Sequence, residues 1–172
     1  MKKILSLAIA LLVILSLVAC SGGNDEVPDG MKNVAGENEA YNFYVPKSWI
    51  TNSNGVIGAY YNSVDTSNVS IMAYGGDDFA SSEEYWKNFE ERGSKMFTDF
   101  QVVESATPRV ISGRNAVQSV YKLSMEGVKY QCSQTIVAYS NLMYVITYTS
   151  TEERYESHLE DVNLILDSFR FK

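Results

Sequence analysis

Residues 100–149 read FQVVESATPRVISGRNAVQSVYKLSMEGVKYQCSQTIVAYSNLMYVITYT, and this stretch decides the fold. Four runs rich in Val, Ile, Thr and Tyr are separated by Ser112-Gly113, Glu126-Gly127 and Ser140-Asn141. Two-residue links of this chemistry accept the positive backbone angles of a tight hairpin, so the spacing predicts an antiparallel meander over 100–110, 115–125, 128–139 and 143–149. The second and third runs alternate in polarity, as half-buried strands do.

Upstream of the meander, Ser81 and Glu84 form a capping-box pair. Tyr85, Trp86, Phe89, Gly93, Met96 and Phe97 then recur at helical spacing, which predicts an amphipathic helix over 82–97. Before it, Val56–Tyr61 and Val69–Tyr74 flank an Asn/Ser/Asp-rich turn and read as a hairpin, and Tyr41, Phe43 and Val45 alternate up to Pro46. Downstream, Ser150 and Glu153 repeat the capping spacing ahead of Tyr155, Leu159, Val162, Leu166 and Phe169, with Ile165 beside them. A sheet with two amphipathic helices buries both its faces only if the helices pack against them. The expected class is therefore α+β, an antiparallel sheet flanked by helices in an αβα sandwich.

The start of the chain has a different character. Lys2 and Lys3 precede an apolar run from Ile4 to Val18, which ends in Leu17-Val18-Ala19-Cys20. This resembles the bacterial lipoprotein lipobox. The resemblance implies cleavage before Cys20, a diacylglyceryl group on its thiol, and attachment to the extracytoplasmic face of the cell membrane. Two or more acyl chains are needed to hold a protein stably at a bilayer. A simple secretory signal cut at Ala19 is the alternative, and it leaves Cys20 free. The 16 residues from Ile4 to Ala19, broken only by Ser6 and Ser16, fall short of the roughly 20 that span a membrane. Residues 21–39 turn to Gly, Asn, Asp and Glu without apolar periodicity and read as a flexible tether reaching about 24 Å. The expected division is a signal peptide over 1–19, the lipidated cysteine and tether over 20–39, and one domain over 40–172.

Charge narrows the partners. The 172-residue chain carries 14 basic and 21 acidic side chains, and residues 1–19 remove two of the basic ones and none of the acidic. An exported part this acidic lacks the Lys/Arg excess that phosphate backbones require, so no nucleic-acid partner is expected.

Phe43-Tyr44-Val45-Pro46-Lys47-Ser48-Trp49 resembles the opening of the PsbP-like superfamily, a strand followed by Pro and Trp. Tyr144–Thr149, Glu152-Glu153-Arg154-Tyr155 and Leu166–Phe171 are similar to its last strand and closing helix. That superfamily includes the extrinsic photosystem II protein, a Ran-binding relative and many bacterial lipoproteins. The resemblance implies a PsbP-like sandwich, a non-catalytic role in binding other proteins, and no metal-site or photosystem-contact motif that can be carried onto this sequence. Taken residue by residue, Pro46 ends a strand, Trp49 covers the open end of the sheet, and Phe169 plugs the last helix.

Catalytic chemistry is sparse. His158 is the one histidine, expected partly exposed beside Arg154 and Asp161, and a zinc site of two or three His cannot be assembled. Cys132 is in phase with Val128, Tyr130 and Ile136 and reads as a small buried hydrophobe; a Cys132/His158 dyad would need it exposed. Ser119 and Lys122 fit the letters S-x-x-K, but a strand sends positions 119 and 122 to opposite faces. Asp77-Asp78 after two glycines is the one acidic pair with no helix-start or solvated-face explanation, though it lacks the spacing of an EF-hand loop. No cofactor or metal is expected. Among twelve tyrosines, Tyr60, Tyr61 and Tyr74 fall where an interaction surface would use them. The expected function is a lipid-anchored module that binds a protein or envelope component. The alternatives are an envelope-acting hydrolase using carboxylates or Cys132, and a small-ligand or glycan binder with rings lining a cleft.

Overall fold

The computed structural model describes residues 26–75 and 79–172. In chain order its elements are β1 (Met31–Asn33), β2 (Tyr41–Asn42), β3 (Tyr44–Pro46), β4 (Ile50–Thr51), β5 (Gly58–Tyr60), β6 (Asn68–Gly75), α1 (Ser82–Met96), β7 (Thr98–Ile111), β8 (Arg114–Met125), β9 (Val128–Tyr139), β10 (Leu142–Thr151), α2 (Leu159–Ser168) and β11 (Arg170–Phe171). A 3-10 turn, Tyr155–His158, leads into α2.

Six residues generate the main sheet. Ser112-Gly113, Glu126-Gly127 and Ser140-Asn141 all have positive φ, the signature of turns that match the strand twist, and they fold β7 to β10 into the expected meander. β6 pairs with the free side of β10, and β5 and β4 follow. The result is a seven-stranded antiparallel sheet in the order β4-β5-β6-β10-β9-β8-β7. Register shifts interrupt β7 near Asp99 and Ala106, both at positive φ, and these bulges blunt an otherwise long open edge.

Strand alternation divides the core in two. Tyr144, Ile146 and Tyr148 point to one side of β10, where they meet Val162, Ile165 and Leu166 of α2 together with Phe43, Trp49 and Phe169. Met143 and Val145 point to the other side, where Tyr85 and Trp86 of α1 cover Val117, Tyr121, Leu123, Cys132 and Ile136. The sandwich expected from the sequence is therefore the observed architecture. Helix α1 starts as predicted: the Ser81 hydroxyl accepts from Glu84 N at 3.1 Å, while the Glu84 carboxylate takes Ala80 N at 2.7 Å. Phe169 is fully buried and stacks on Tyr41, so it is the plug that was expected.

Three expectations need correction. Residues 31–39 do not belong to a tether, because Met31 is buried and Met31–Asn33 pairs with Tyr44–Pro46. A three-residue strand with one apolar anchor leaves too short a pattern to read. The 41–45 strand breaks at Phe43, whose N–H goes to Asn33 Oδ1, and its halves pair with β1 and β11 instead of joining the main sheet. The second capping box does not form, since Ser150 lies within β10 opposite Gln131, and its buried hydroxyl meets Ser67 Oγ at 2.8 Å.

Candidate functional site

One helix cannot cover seven strands. With strands about 4.8 Å apart and a helix about 10–12 Å across, α1 shields only about two or three of them. It lies over β7, β8 and β9, which leaves the same side of β5, β6 and the far part of β10 open. The register puts Tyr60, Asn68, Ser70, Met72 and Thr147 on this open face, with Met72 and Tyr74 exposed. The opposite side of the sheet has no such gap, because α2, the Trp49 loop and the β2/β11 pair all cover it.

Where the open face meets α1, an apolar groove of about 240 Å³ forms between Met72 and Tyr74 of β6, Phe89 and Met96 of the helix, and Val145. Gly93 gives Phe100 room beside it, since a Cβ there would lie 2.8 Å from the Phe100 ring. Beneath the groove runs a chain of buried polar groups. Gln134 Nε2 donates to the Tyr121 hydroxyl at 3.2 Å, Tyr121 stands opposite Cys132 across the β8–β9 pair, and the Cys132 thiol donates to Thr149 Oγ1 at 3.8 Å. Burial pushes the Cys132 thiol up to about 11 and the Tyr121 phenol above its ordinary value. Gln134 Oε1, at the head of this chain, is buried and has no hydrogen-bond partner.

A second polar cluster sits at the end of the sheet, beside a cleft of about 880 Å³. His158 Nε2 and Asp65 Oδ2 are 2.8 Å apart, the Ser67 hydroxyl donates to Asp65 Oδ1 at 2.6 Å, and Arg154 stands 3.5 Å from the same oxygen. Desolvation raises the Asp65 carboxyl, but the hydrogen bonds from Ser67 and His158 outweigh it and hold the group well below the usual carboxylate range. The cluster contains Ser, Asp and His, yet its order is not that of a nucleophilic triad. A triad hydroxyl bonds the imidazole and the carboxylate orients that imidazole from behind. Here the carboxylate is central and takes both the hydroxyl and the ring, so no base faces Ser67. Its structural role is to tie the 62–67 turn to the start of α2.

The residues singled out from the sequence scatter. Tyr60 and Tyr74 share the open face but stand six pairs apart along β6. Tyr61 does not join them: it packs on the His158 ring at 4.2 Å and on Trp49 at 5.9 Å, on the α2 side. Successive strand residues face opposite ways, so the Tyr60-Tyr61 pair was split by the pleat from the outset. His158 is buried instead of partly exposed, and Asp161 bonds Trp49 Nε1 at 2.9 Å instead of sitting with it. Cys132 is buried under α1 while His158 lies under the other layer, so the sheet separates the two. Ser119 is fully buried and accepts from Ala106 N, whereas Lys122 faces the other way and pairs with Glu152, as the strand geometry required. Cys20 and Asp77-Asp78 lie outside the described residues. Among the described residues no group of three or more His, Cys, Asp or Glu is placed to hold a metal ion, and no helix is long and apolar enough to cross a membrane.

Sequence reading missed Gln134 and Arg92. Gln134 carried a signal, since it shares the inward phase of Cys132 and Ile136, where an amide is out of place. Arg92 carried none, because a lone Arg on an acidic helix is ordinary.

A family model described as PsbP-like protein matches residues 31–171. No curated protein matches the chain. Among solved structures, cyanobacterial PsbP (CyanoP) from Synechocystis is 13% identical with a TM-score of 0.59, over 91% of this chain and 99% of that one. LpqN of Mycobacterium tuberculosis, described as involved in cell envelope biogenesis, is 13% identical with a TM-score of 0.57, over 83% and 90%. The Ran-binding protein Mog1p of Saccharomyces cerevisiae is 9% identical with a TM-score of 0.58, over 82% and 95%. At these identities the likeness is one of fold.

Proposed function

The chain belongs to the PsbP-like protein family, and from that membership we propose that it is a non-catalytic binding module, lipid-anchored through Cys20 at the extracytoplasmic face of the membrane, that holds a protein or other envelope component on the open half of its sheet. The observation that carries this reading is the face itself. Tyr60, Met72 and Tyr74 stand among Asn68, Ser70 and Thr147 on a surface that no element among the described residues lies across, bordered by α1 where the Tyr85 ring meets Tyr74 at 5.6 Å. Aromatic and Met side chains on a polar ground are the composition of interface cores. The fold shared with an envelope-biogenesis protein and with a Ran-binding protein supports a role in binding. The carboxylate-centred Ser67–Asp65–His158 cluster and the buried Cys132 supply no activated nucleophile to the hydrolase alternative.

The test is crosslinking in intact membranes followed by affinity recovery. A Met72→Lys, Tyr60→Lys double variant with an unchanged melting temperature is expected to lose the crosslinked partner several-fold, and recovery equal to the parent sinks the assignment of this face. The anchor is tested separately: Cys20→Ala is expected to block processing or release the protein from membranes, and unchanged attachment refutes it.

A further inference from the structure

The groove between α1 and the sheet has an apolar lining, one buried unmet acceptor and one unpaired cation. Its volume of about 240 Å³ exceeds the roughly 150 Å³ that lodges a benzene ring, so a bicyclic ring system fits. Met72 and Met96 flank it, with thioethers suited to aromatic faces. At its floor Gln134 Nε2 donates to the Tyr121 hydroxyl at 3.2 Å. Gln134 Oε1 is then left without a donor in a side chain only 6% exposed. Leaving such an atom unmet is costly, and a ligand N–H or O–H removes the cost. Arg92 also lines the groove, close enough to Tyr85 to affect its phenol, and has no acidic partner among the described residues, whereas the adjacent Glu91 is engaged by Lys95.

We infer that this groove is a binding site for a small aromatic acid with a ring-borne donor, an indole- or phenol-type carboxylate whose ring lies between Met72 and Met96, whose N–H or O–H reaches Gln134 and whose carboxylate meets Arg92. This rests on the reading of the open face as a binding surface and names the chemistry at its α1 end. A ring without the donor buries the same apolar area but leaves the amide oxygen unmet. A site with a buried acceptor therefore discriminates against an analogue that lacks the donor.

The test uses the full chain in detergent with its methionine methyl groups carbon-13 labelled, read by NMR, because Met72 and Met96 line the groove while Met125 lies outside it. Indole-3-acetate is expected to shift the Met72 and Met96 signals saturably and leave Met125 in place. Naphthalene-1-acetate, which lacks the N–H, is expected to bind about tenfold more weakly. Gln134→Met is expected to shrink that gap to less than about threefold. Arg92→Gln is expected to weaken indole-3-acetate about fivefold and to leave neutral 3-methylindole unchanged. Absence of a saturable shift at Met72 and Met96 up to millimolar probe, or equal binding of the indole and naphthalene acids by the parent, overturns the inference, and neither outcome depends on a variant folding. If the probes fail while the Met72→Lys, Tyr60→Lys variant still loses its crosslinked partner, the open face stands and this ligand class alone falls.

Discussion

Replacing Asp65 by Asn removes one charge at the centre of the buried cluster and changes almost no volume. Asp65 receives the Ser67 N–H at 3.0 Å, the Ser67 hydroxyl at 2.6 Å and His158 Nε2 at 2.8 Å, and its side chain is 15% exposed. An Asn oxygen can keep the two Ser67 bonds, but the amide nitrogen then faces the His158 ring, and Arg154 loses its counter-charge. Hydrogen bonds to charged groups contribute about 1.5–3 kcal/mol each, so the expected loss at pH 7 is about 3 kcal/mol, or about 6–12 °C in melting temperature for a domain of this size. The pH dependence has a definite sign. A carboxyl whose folded value lies below its ordinary 3.8 stabilises the fold at any pH above that figure, and the contribution disappears as pH falls through the folded value. The gap between parent and variant in urea melts is therefore expected to be constant from pH 7 to about pH 5 and to close progressively below about pH 4. Using the difference cancels the general acid destabilisation that both proteins share. A gap under about 0.5 kcal/mol at pH 7, or one that persists unchanged at pH 2.5, refutes the central role given to this carboxylate.

Three further outcomes follow from packing. Gly58→Ala would place a Cβ 2.3 Å from the Val69 carbonyl oxygen, so the β5–β6 pairing must shift, and a loss of about 2 kcal/mol or more is expected in thermal melts; a variant as stable as the parent contradicts the register. Ser81→Ala removes the acceptor for Glu84 N and is expected to cost about 1 kcal/mol, with Ser81→Gly losing only a few tenths, so equal losses in the two would argue against the cap. With Cys20→Ser leaving Cys132 as the remaining thiol, a thiol pushed up to about 11 and only 3% exposed is expected to resist iodoacetamide at pH 8 until urea unfolds the chain; rapid labelling of the folded protein is incompatible with the buried chain beneath the groove.

Local chemistry wrote the meander and α1 into the sequence. Ser112-Gly113, Glu126-Gly127 and Ser140-Asn141 each demand positive φ within two residues, and Ser81 finds its partner three residues on, so no distant contact is needed to read them. What could not be read depends on partners far along the chain. His158 looks like a helical surface residue until Asp65, 93 positions away, reaches it. Ser150 has the spacing of a cap and is claimed by Ser67, 83 positions away. Met31 gains its meaning from Pro46 across a strand pair too short for any period. The candidate site divides the same way. Tyr74 was recognisable as a strand aromatic, whereas the groove needs α1 placed against β6 and β10 before Gln134 and Arg92 converge.

The open face is a consequence of how the layers are distributed, and its composition records that. On the α2 side, a helix, an extended loop and two small strand pairs share the work of covering the sheet, and the residues beneath them are continuous in apolar character: Val69, Ile71, Tyr144, Ile146 and Tyr148. On the other side the single helix stops short, and the strands beneath the gap change at once to Asn68, Ser70, Thr147 and Thr149, which water can solvate. Solubility alone would carry that polar run to the end of β6. Instead Met72 and Tyr74 interrupt it where the helix edge and the sheet form a concave corner, and Met72 is 52% exposed. A large apolar side chain held in water beside a groove, with a buried acceptor at its floor, is disfavoured for the free domain and favourable once something enters. That asymmetry separates the α1 end of the open face from the rest of the surface, and it is why the binding role is placed there and not in the larger polar cleft at the sheet end, where Asp65, Ser67 and His158 already satisfy one another.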